Sequence, residues 1–203
     1  MDRYLITHSL LSSWMYAMQE NPYEDATSER DSYAEFVATL RREPTPTNEA
    51  MQKGIDFENL VTDIMSGCGD PSHGWYEAAT SVSRIIKNGV LQFKARREIE
   101  VSGVPILLHG RLDALKAGII FDIKFSGSYE IGKYLDSTQH PTYFELVPEA
   151  KEFMYLVSNG TNVWPEGYSR EETPSIIPVI EDFLKFLKRQ GLIETFAEKW
   201  VAL

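Results

Sequence analysis

From Leu91 to Phe125 the chain carries a period of two, broken twice by turn residues, and few folds accept that pattern. Leu91, Phe93, Ala95, Ile99 and Val101 alternate with Gln92, Lys94, Arg96, Glu98 and Glu100. Such alternation makes a strand with one apolar face. "SGVP" then turns the chain into a second strand, Ile106 to about Leu115, and "KAG" turns it again into Ile119–Phe125. Three strands joined by connections this short form an antiparallel meander. The rest of the molecule must therefore be built around a sheet.

The flanking segments have a different period. Leu10 to Gln19 and Ser32 to Leu40 read as helices. In "NEAMQKGIDFENLVTDIMSG" the residues Phe57, Leu60, Val61, Ile64 and Met65 recur at helical spacing, with Asn48 as N-cap and Gly67 as C-terminal stop. Pro44 and Pro46 make "RREPTPTNEA", Arg41 to Ala50, a linker. A helix is expected after Phe125. "EFMYLVSNGTNVWPEGY" signals another hairpin, with a type I′ turn at Asn159-Gly160. "SIIPVIEDFLKFLKRQG" and "LIETFAEKWVAL" read as two closing helices. The expected fold class is α/β, a central mixed β-sheet flanked by helices, in a single domain over 1–203. Within it, 1–47 is expected as an N-terminal helical extension, 48–170 as the core and 171–203 as C-terminal helices.

Composition narrows the function. With 203 residues, 43% hydrophobic and 25% charged, the chain can bury one proper core. No apolar run approaches the ~20 residues of a membrane helix, and Asp2, His8 and Trp14 make the first residues a poor signal peptide. The lone Cys68 excludes an internal disulfide and a four-cysteine iron–sulfur cluster. A cytoplasmic setting is expected. The net charge of −10 opposes simple nucleic-acid binding. Against it stands an acid-free run holding Arg84, Lys87, Lys94, Arg96 and Arg97, which alone reads as a solvated strand edge.

Asp113 and Asp122 raise the sharpest question, since both lie in strands rich in Leu, Ile and Phe. A turn centred between Ala117 and Gly118 places them directly opposite, with Cβ atoms about 4.5–5.5 Å apart. Lys124 shares their face, while Leu112, Ala114, Phe121, Ile123 and Phe125 are expected on the other. Opposed carboxylates repel; one lysine offsets this in part and a divalent cation does so better. Glu58, at the rim of the apolar stripe of its helix, is a third carboxylate that can emerge where helix meets sheet. Asp-x-Lys on a strand is commonplace by itself, and Glu58 alone reads as a solvated helix residue. Jointly they make a hard-oxygen site for Mg²⁺ or Mn²⁺.

These segments resemble the PD-(D/E)XK nucleases, specifically the RecB-like branch that includes the CRISPR-associated RecB-like exonucleases. The resemblance spans roughly Met51 to Tyr143. "KGIDFENLV" resembles the first motif, through Gly54 and Glu58; "HGRLDAL" matches Gly-x-x-Asp, through Gly110 and Asp113. "IIFDIKFS" matches (Asp/Glu)-x-Lys, through Asp122 and Lys124, and "STQHPTYFEL" resembles Gln-x-x-x-Tyr, through Gln139 and Tyr143. Many members have histidine where this chain has Glu58, a variant that suggests a different metal preference. The cluster-binding cysteines of some members are absent, so the similarity is to those without an iron–sulfur cluster. Pro141 restricts a helix there to starting near His140.

The resemblance implies that Glu58, Asp113 and Asp122 ligate Mg²⁺ or Mn²⁺, helped by the Ile123 carbonyl, and that Lys124 positions the attacking water or stabilises the phosphorane. It implies that Gln139 and Tyr143 hold the DNA strand or Lys124. From the residues alone, Tyr143 reads as a core aromatic with its hydroxyl at the edge, His109 as a satisfied structural histidine, and His140 is open. Lys94 and Arg96 are the candidates for the DNA backbone. The expected function is a metal-dependent deoxyribonuclease, with exonuclease action among the options, in DNA repair, recombination or a phage or mobile-element pathway. It would act in a bacterial or phage-infected cytoplasm beside a recombination or helicase protein. The alternative is a catalytically idle binding module whose acidic surface engages a protein partner.

Overall fold

The computed structural model describes residues 3–19 and 31–202. Within them a mixed seven-stranded sheet is flanked by helices, as the sequence predicts. Its centre is the meander β2 (Val90–Val101), β3 (Val104–Lys116) and β4 (Ile119–Phe125). Both turns place two consecutive residues in the left-handed region: Ser102 and Gly103 at φ 51 and 77, Ala117 and Gly118 at φ 51 and 80. That twist matches the strands on either side of a tight hairpin. β5 (Glu152–Ser158) and β6 (Val163–Ser169) extend the sheet beyond β4, and β5 runs parallel to β4.

The N-terminal segment, expected as a helical extension, instead opens with a strand of the sheet. β1 (Arg3–Ile6) pairs in parallel with β3 through Tyr4↔Ile106, Leu5↔Leu107 and Ile6↔Leu108, and β7 (Val201–Ala202) pairs with β1. Because β2 pairs along nearly all of β3, β1 and β4 share the opposite edge. β4 takes Ala114–Lys116 and β1 takes Ile106–Leu108, so the sheet forks, and among the described residues His109 to Asp113 face no strand on that edge.

Helices cover both faces. α1 (His8–Met18), α2 (Ser32–Leu40), α5 (Gln139–Leu146), α6 (Ile177–Arg189) and α7 (Ile193–Lys199) bury one core, including Leu10, Phe36, Leu108, Leu112, Phe153 and Phe183. α3 (Glu49–Met65) and α4 (Tyr76–Ile86) bury a second, including Phe57, Val61, Val82, Ala114, Phe121 and Leu156. Leu112 and Ala114, expected on one side, thus fall in different cores. The switch occurs at Asp113, whose place in the register is opposite Gln92, a non-glycine residue at φ 51. This local kink breaks the simple alternation.

Asn48 caps α3 as expected, its Oδ1 accepting from the Met51 amide at 2.9 Å, and Gly67 follows the helix at φ 78. The β5–β6 turn corrects another expectation. Ser158↔Val163 leaves a four-residue loop, in which Asn159 Oδ1 accepts from the amides of Thr161 and Asn162 while Gly160 alone has positive φ. The asparagine side chain therefore replaces the type I′ geometry. Ser126 to Thr138 is mostly turn and loop, so the helix expected after Phe125 begins only at Gln139, with Pro141 inside its first turn. No helix among the described residues is long and apolar enough to cross a membrane.

Candidate functional site

The β3–β4 register runs Lys116↔Ile119, Leu115↔Ile120, Ala114↔Phe121. Its next step is Asp113 opposite Asp122, at the mouth of the fork. Backbone pairing stops there, and Asp113 Oδ2 accepts the Ile123 amide instead, at 2.8 Å. Burial first, then the neighbouring charges of Asp122 and Glu58, push the Asp113 carboxyl up to about 8, although the Ile123 hydrogen bond and Lys124 act the other way. The crowding anticipated from the sequence is thus present in the fold.

Asp122 is 5% exposed. Its Oδ1 accepts from Gln139 Nε2, and its Oδ2 lies 2.8 Å from Lys124 Nζ. That second contact is a buried ion pair, and it is the one polar neighbour of Oδ2 among the described residues. Burial works against the Lys124 charge, but Asp122 and Asp113 outweigh it and hold the ammonium above its ordinary value. Glu58, on α3, is half-buried and accepts from Gln92 Nε2 at 2.7 Å. Among the described residues no three His, Cys, Asp or Glu side chains stand as a ready-made metal shell. Asp113 and Asp122 converge, while Glu58 is tied to Gln92.

The two α5 residues support the site from behind. Gln139, 4% exposed, orients Asp122. Tyr143 is buried and donates its hydroxyl to the Arg111 carbonyl at 3.0 Å, satisfying backbone in the fork. Its ring explains Gly110: a Cβ there would run into the Tyr143 ring and come 2.8 Å from Leu146 Cδ1. Neither side chain holds Lys124. Lys94 and Arg96 are exposed on β2, opposite Arg111 and His109 of β3. His140 is structural: Nδ1 lies 3.2 Å from the Tyr155 hydroxyl, the ring stacks on Tyr168 at 4.2 Å, and burial lowers its pKa to about 4. His109, expected as a satisfied histidine, has no hydrogen-bonding side-chain partner among the described residues and lines an open cleft.

Sequence reasoning missed Gln92, His8 and Glu166. Alternation along β2 makes Gln92 one polar residue among several, and only its left-handed φ turns it toward Glu58. His8 follows β1, and α1 brings its ring edge-on to Tyr143 at 5.5 Å. Burial first, then Lys124, lower its pKa to about 4, with Asp122 opposing. Glu166, on β6, accepts from Tyr129 Oη at 2.6 Å, from the Tyr168 hydroxyl and from the Tyr134 amide. These bonds outweigh burial and keep the carboxyl below its usual value. They also fasten the loop that joins Lys124 to Gln139. A buried acid in "WPEGY" beside the tyrosines of the preceding loop was the available signal.

No family model and no curated protein matches this chain. Among solved structures it is similar to "Crystal structure of SSO0001", with a TM-score of 0.53 at 19% identity over 92% of this chain and 77% of that one. At that identity the likeness is one of fold.

The donor set fits a divalent cation. It offers two convergent hard carboxylates with a third near enough to raise the pKa of the first, and the buried Asp122 Oδ2 has only the Lys124 ammonium beside it.

Proposed function

We propose that the protein is a Mg²⁺- or Mn²⁺-dependent nuclease acting on DNA. The observation that carries this reading is the convergence of Asp113, Asp122 and Lys124 at the fork, with Lys124 Nζ 2.8 Å from a buried Asp122 oxygen. Asp113, Asp122 and Glu58, with the Ile123 carbonyl, would hold the cation. Such an ion supplies Lewis-acid polarisation of the phosphodiester and a bound water of lowered pKa. The chain's own residues do the remainder. Lys124, 2.8 Å from Asp122 Oδ2, can orient the attacking water or meet negative charge growing on phosphate oxygens. Gln139 fixes the Asp122 carboxylate, and Tyr143 fixes the backbone between the two branches of the sheet. His8 stays neutral at physiological pH beside them. The four motif resemblances support this role; DNA as partner and a cytoplasmic setting are part of the same proposal.

The test is digestion of linear and circular, single- and double-stranded DNA with Mg²⁺, Mn²⁺ or EDTA. Metal-dependent shortening of linear DNA with circles spared indicates an exonuclease. No cleavage of any substrate in either metal would remove the nuclease reading in favour of an acidic binding module.

A further inference from the structure

The exposed side of the β2–β3 hairpin carries charges that no ion pair among the described residues neutralises. Moving along β3 away from the Asp113 level, the next cross-strand pairs are Arg111 with Lys94 and His109 with Arg96. Directly opposed residues project to one face, and this one points away from the buried Leu108 and Leu112. Like charges opposed on a sheet destabilise it. Yet Lys94, Arg96 and Arg111 make no ion pair or side-chain hydrogen bond among the described residues. One pair further on, Glu98 is taken by Arg3, which closes the basic ladder.

The ladder ends in an open cleft of about 240 Å³. Arg42, Arg96 and His109 line it over an apolar floor of Leu5, Leu107 and Val201, and no acidic side chain among the described residues lines it. Arg42 follows α2 at φ 57, and its guanidinium lies 4.1 Å from the Trp200 ring centroid. Stacking restrains the group without neutralising it. In a chain of net charge −10, a cleft lined by two arginines and a histidine is a place for an anion. Its volume falls below the usual range for whole small-molecule ligands. It suits one phosphate with part of its sugar.

We propose that this cleft binds a backbone phosphate of single-stranded nucleic acid, the strand running along the Arg111/Lys94 pair toward Asp113. The identity of the strand rests on the nuclease reading. His109 and Asp113 are four residues apart on β3, roughly 14 Å at about 3.4 Å per residue. Successive pairs advance by about 7 Å, a step one nucleotide of an extended strand can span. A duplex presents its phosphates in two rows. The ladder offers a single row. An apolar floor below it accepts the sugar or base face of an unpaired nucleotide.

The experiment compares the full-length Asp122→Asn protein with the same protein also bearing Arg42→Ala, Arg96→Ala and Arg111→Ala. Binding of a labelled oligothymidylate and of a hairpin duplex is measured by anisotropy across a salt series in Mg²⁺. Each phosphate contact on a single strand contributes about −0.7 to the slope of log affinity against log salt. The three replacements should flatten the oligothymidylate slope by about two, whereas Lys188→Ala on α6 should leave it unchanged. Should loss of Arg42 unsettle Trp200, Arg96→Glu with Arg111→Glu gives the same reading from exposed positions. An unchanged slope, or no binding to the parent protein, overturns the cleft. Equal flattening on the duplex overturns the single-strand assignment. Cleavage by the wild type is scored separately, so loss of the nuclease reading with a flattened slope still leaves the cleft standing.

Discussion

Asp113→Asn isolates the electrostatic strain at the fork. The substitution keeps an oxygen to accept the Ile123 amide and removes the charge beside Asp122. In the fold the Asp113 carboxyl is lifted from 3.8 to about 8. A carboxyl raised on folding leaves the native state holding a proton that the unfolded chain has lost. Stability therefore falls as pH rises from about 4 to about 8 and is level beyond. Four pH units at about 1.4 kcal/mol each set an upper figure of 5–6 kcal/mol. Relaxation of the site brings the working figure to roughly 3–5 kcal/mol, and each is worth about 2–4 °C in a chain of this size. In EDTA, wild type and Asp113→Asn should unfold at similar temperatures near pH 4. By pH 8.5 the variant should be more stable by roughly 6–20 °C. Millimolar Mg²⁺ or Mn²⁺ should raise the wild-type melting temperature by mass action and raise the variant's less. Melting scans across pH, with and without metal, decide the matter. A gap that does not widen between pH 4.5 and 8.5 would refute the account of a buried, crowded Asp113.

Asp122→Asn and Lys124→Ala should each lower the cleavage rate by about 100-fold or more in protein free of host nucleases. Lys124→Ala should also unfold more readily in EDTA, because it strands a buried carboxylate; wild-type turnover in either variant would displace the site. Gln92→Gly should fold as well as the wild type, since glycine accepts φ 51 freely. Freed from its amide partner, Glu58 should then lower the metal concentration for half-maximal cleavage; an unchanged metal titration would show the tether to be idle. Gly110→Ala should cost about 1–3 kcal/mol by overpacking against Tyr143 and Leu146, and denaturant unfolding at wild-type midpoint would contradict that packing.

The meander was legible because two local signals agreed, strand alternation and turns whose residues accept positive φ. Turn arithmetic alone then brought Asp113 opposite Asp122. The sequence was silent where contacts are distant or backbone departs from ideal. β1 is four residues long and pairs with a strand about a hundred residues later, so no local pattern marks it. The left-handed φ of Gln92 cannot be read from a glutamine. It switches β3 between cores at Asp113 and couples β2 to Glu58. α4 was within reach: Ala78, Ala79, Val82 and Ile86 are buried at helical spacing. No side chain caps its start at Trp75, which removes the usual entry signal.

β2 has a further consequence for the protein in bulk. Among the described residues its outer edge meets no strand along Val90–Val101, and a long open edge is a template for a second copy. Lys94 and Arg96 discourage that encounter, because two such edges brought together would repel. The repulsion acts over a Debye length, about 30 Å at 0.01 M salt and 3 Å at 1 M. Conditions that loosen the hold on a polyanion therefore also lower the barrier to self-association. Concentrated stocks should stay monodisperse best at low ionic strength, the reverse of common purification practice.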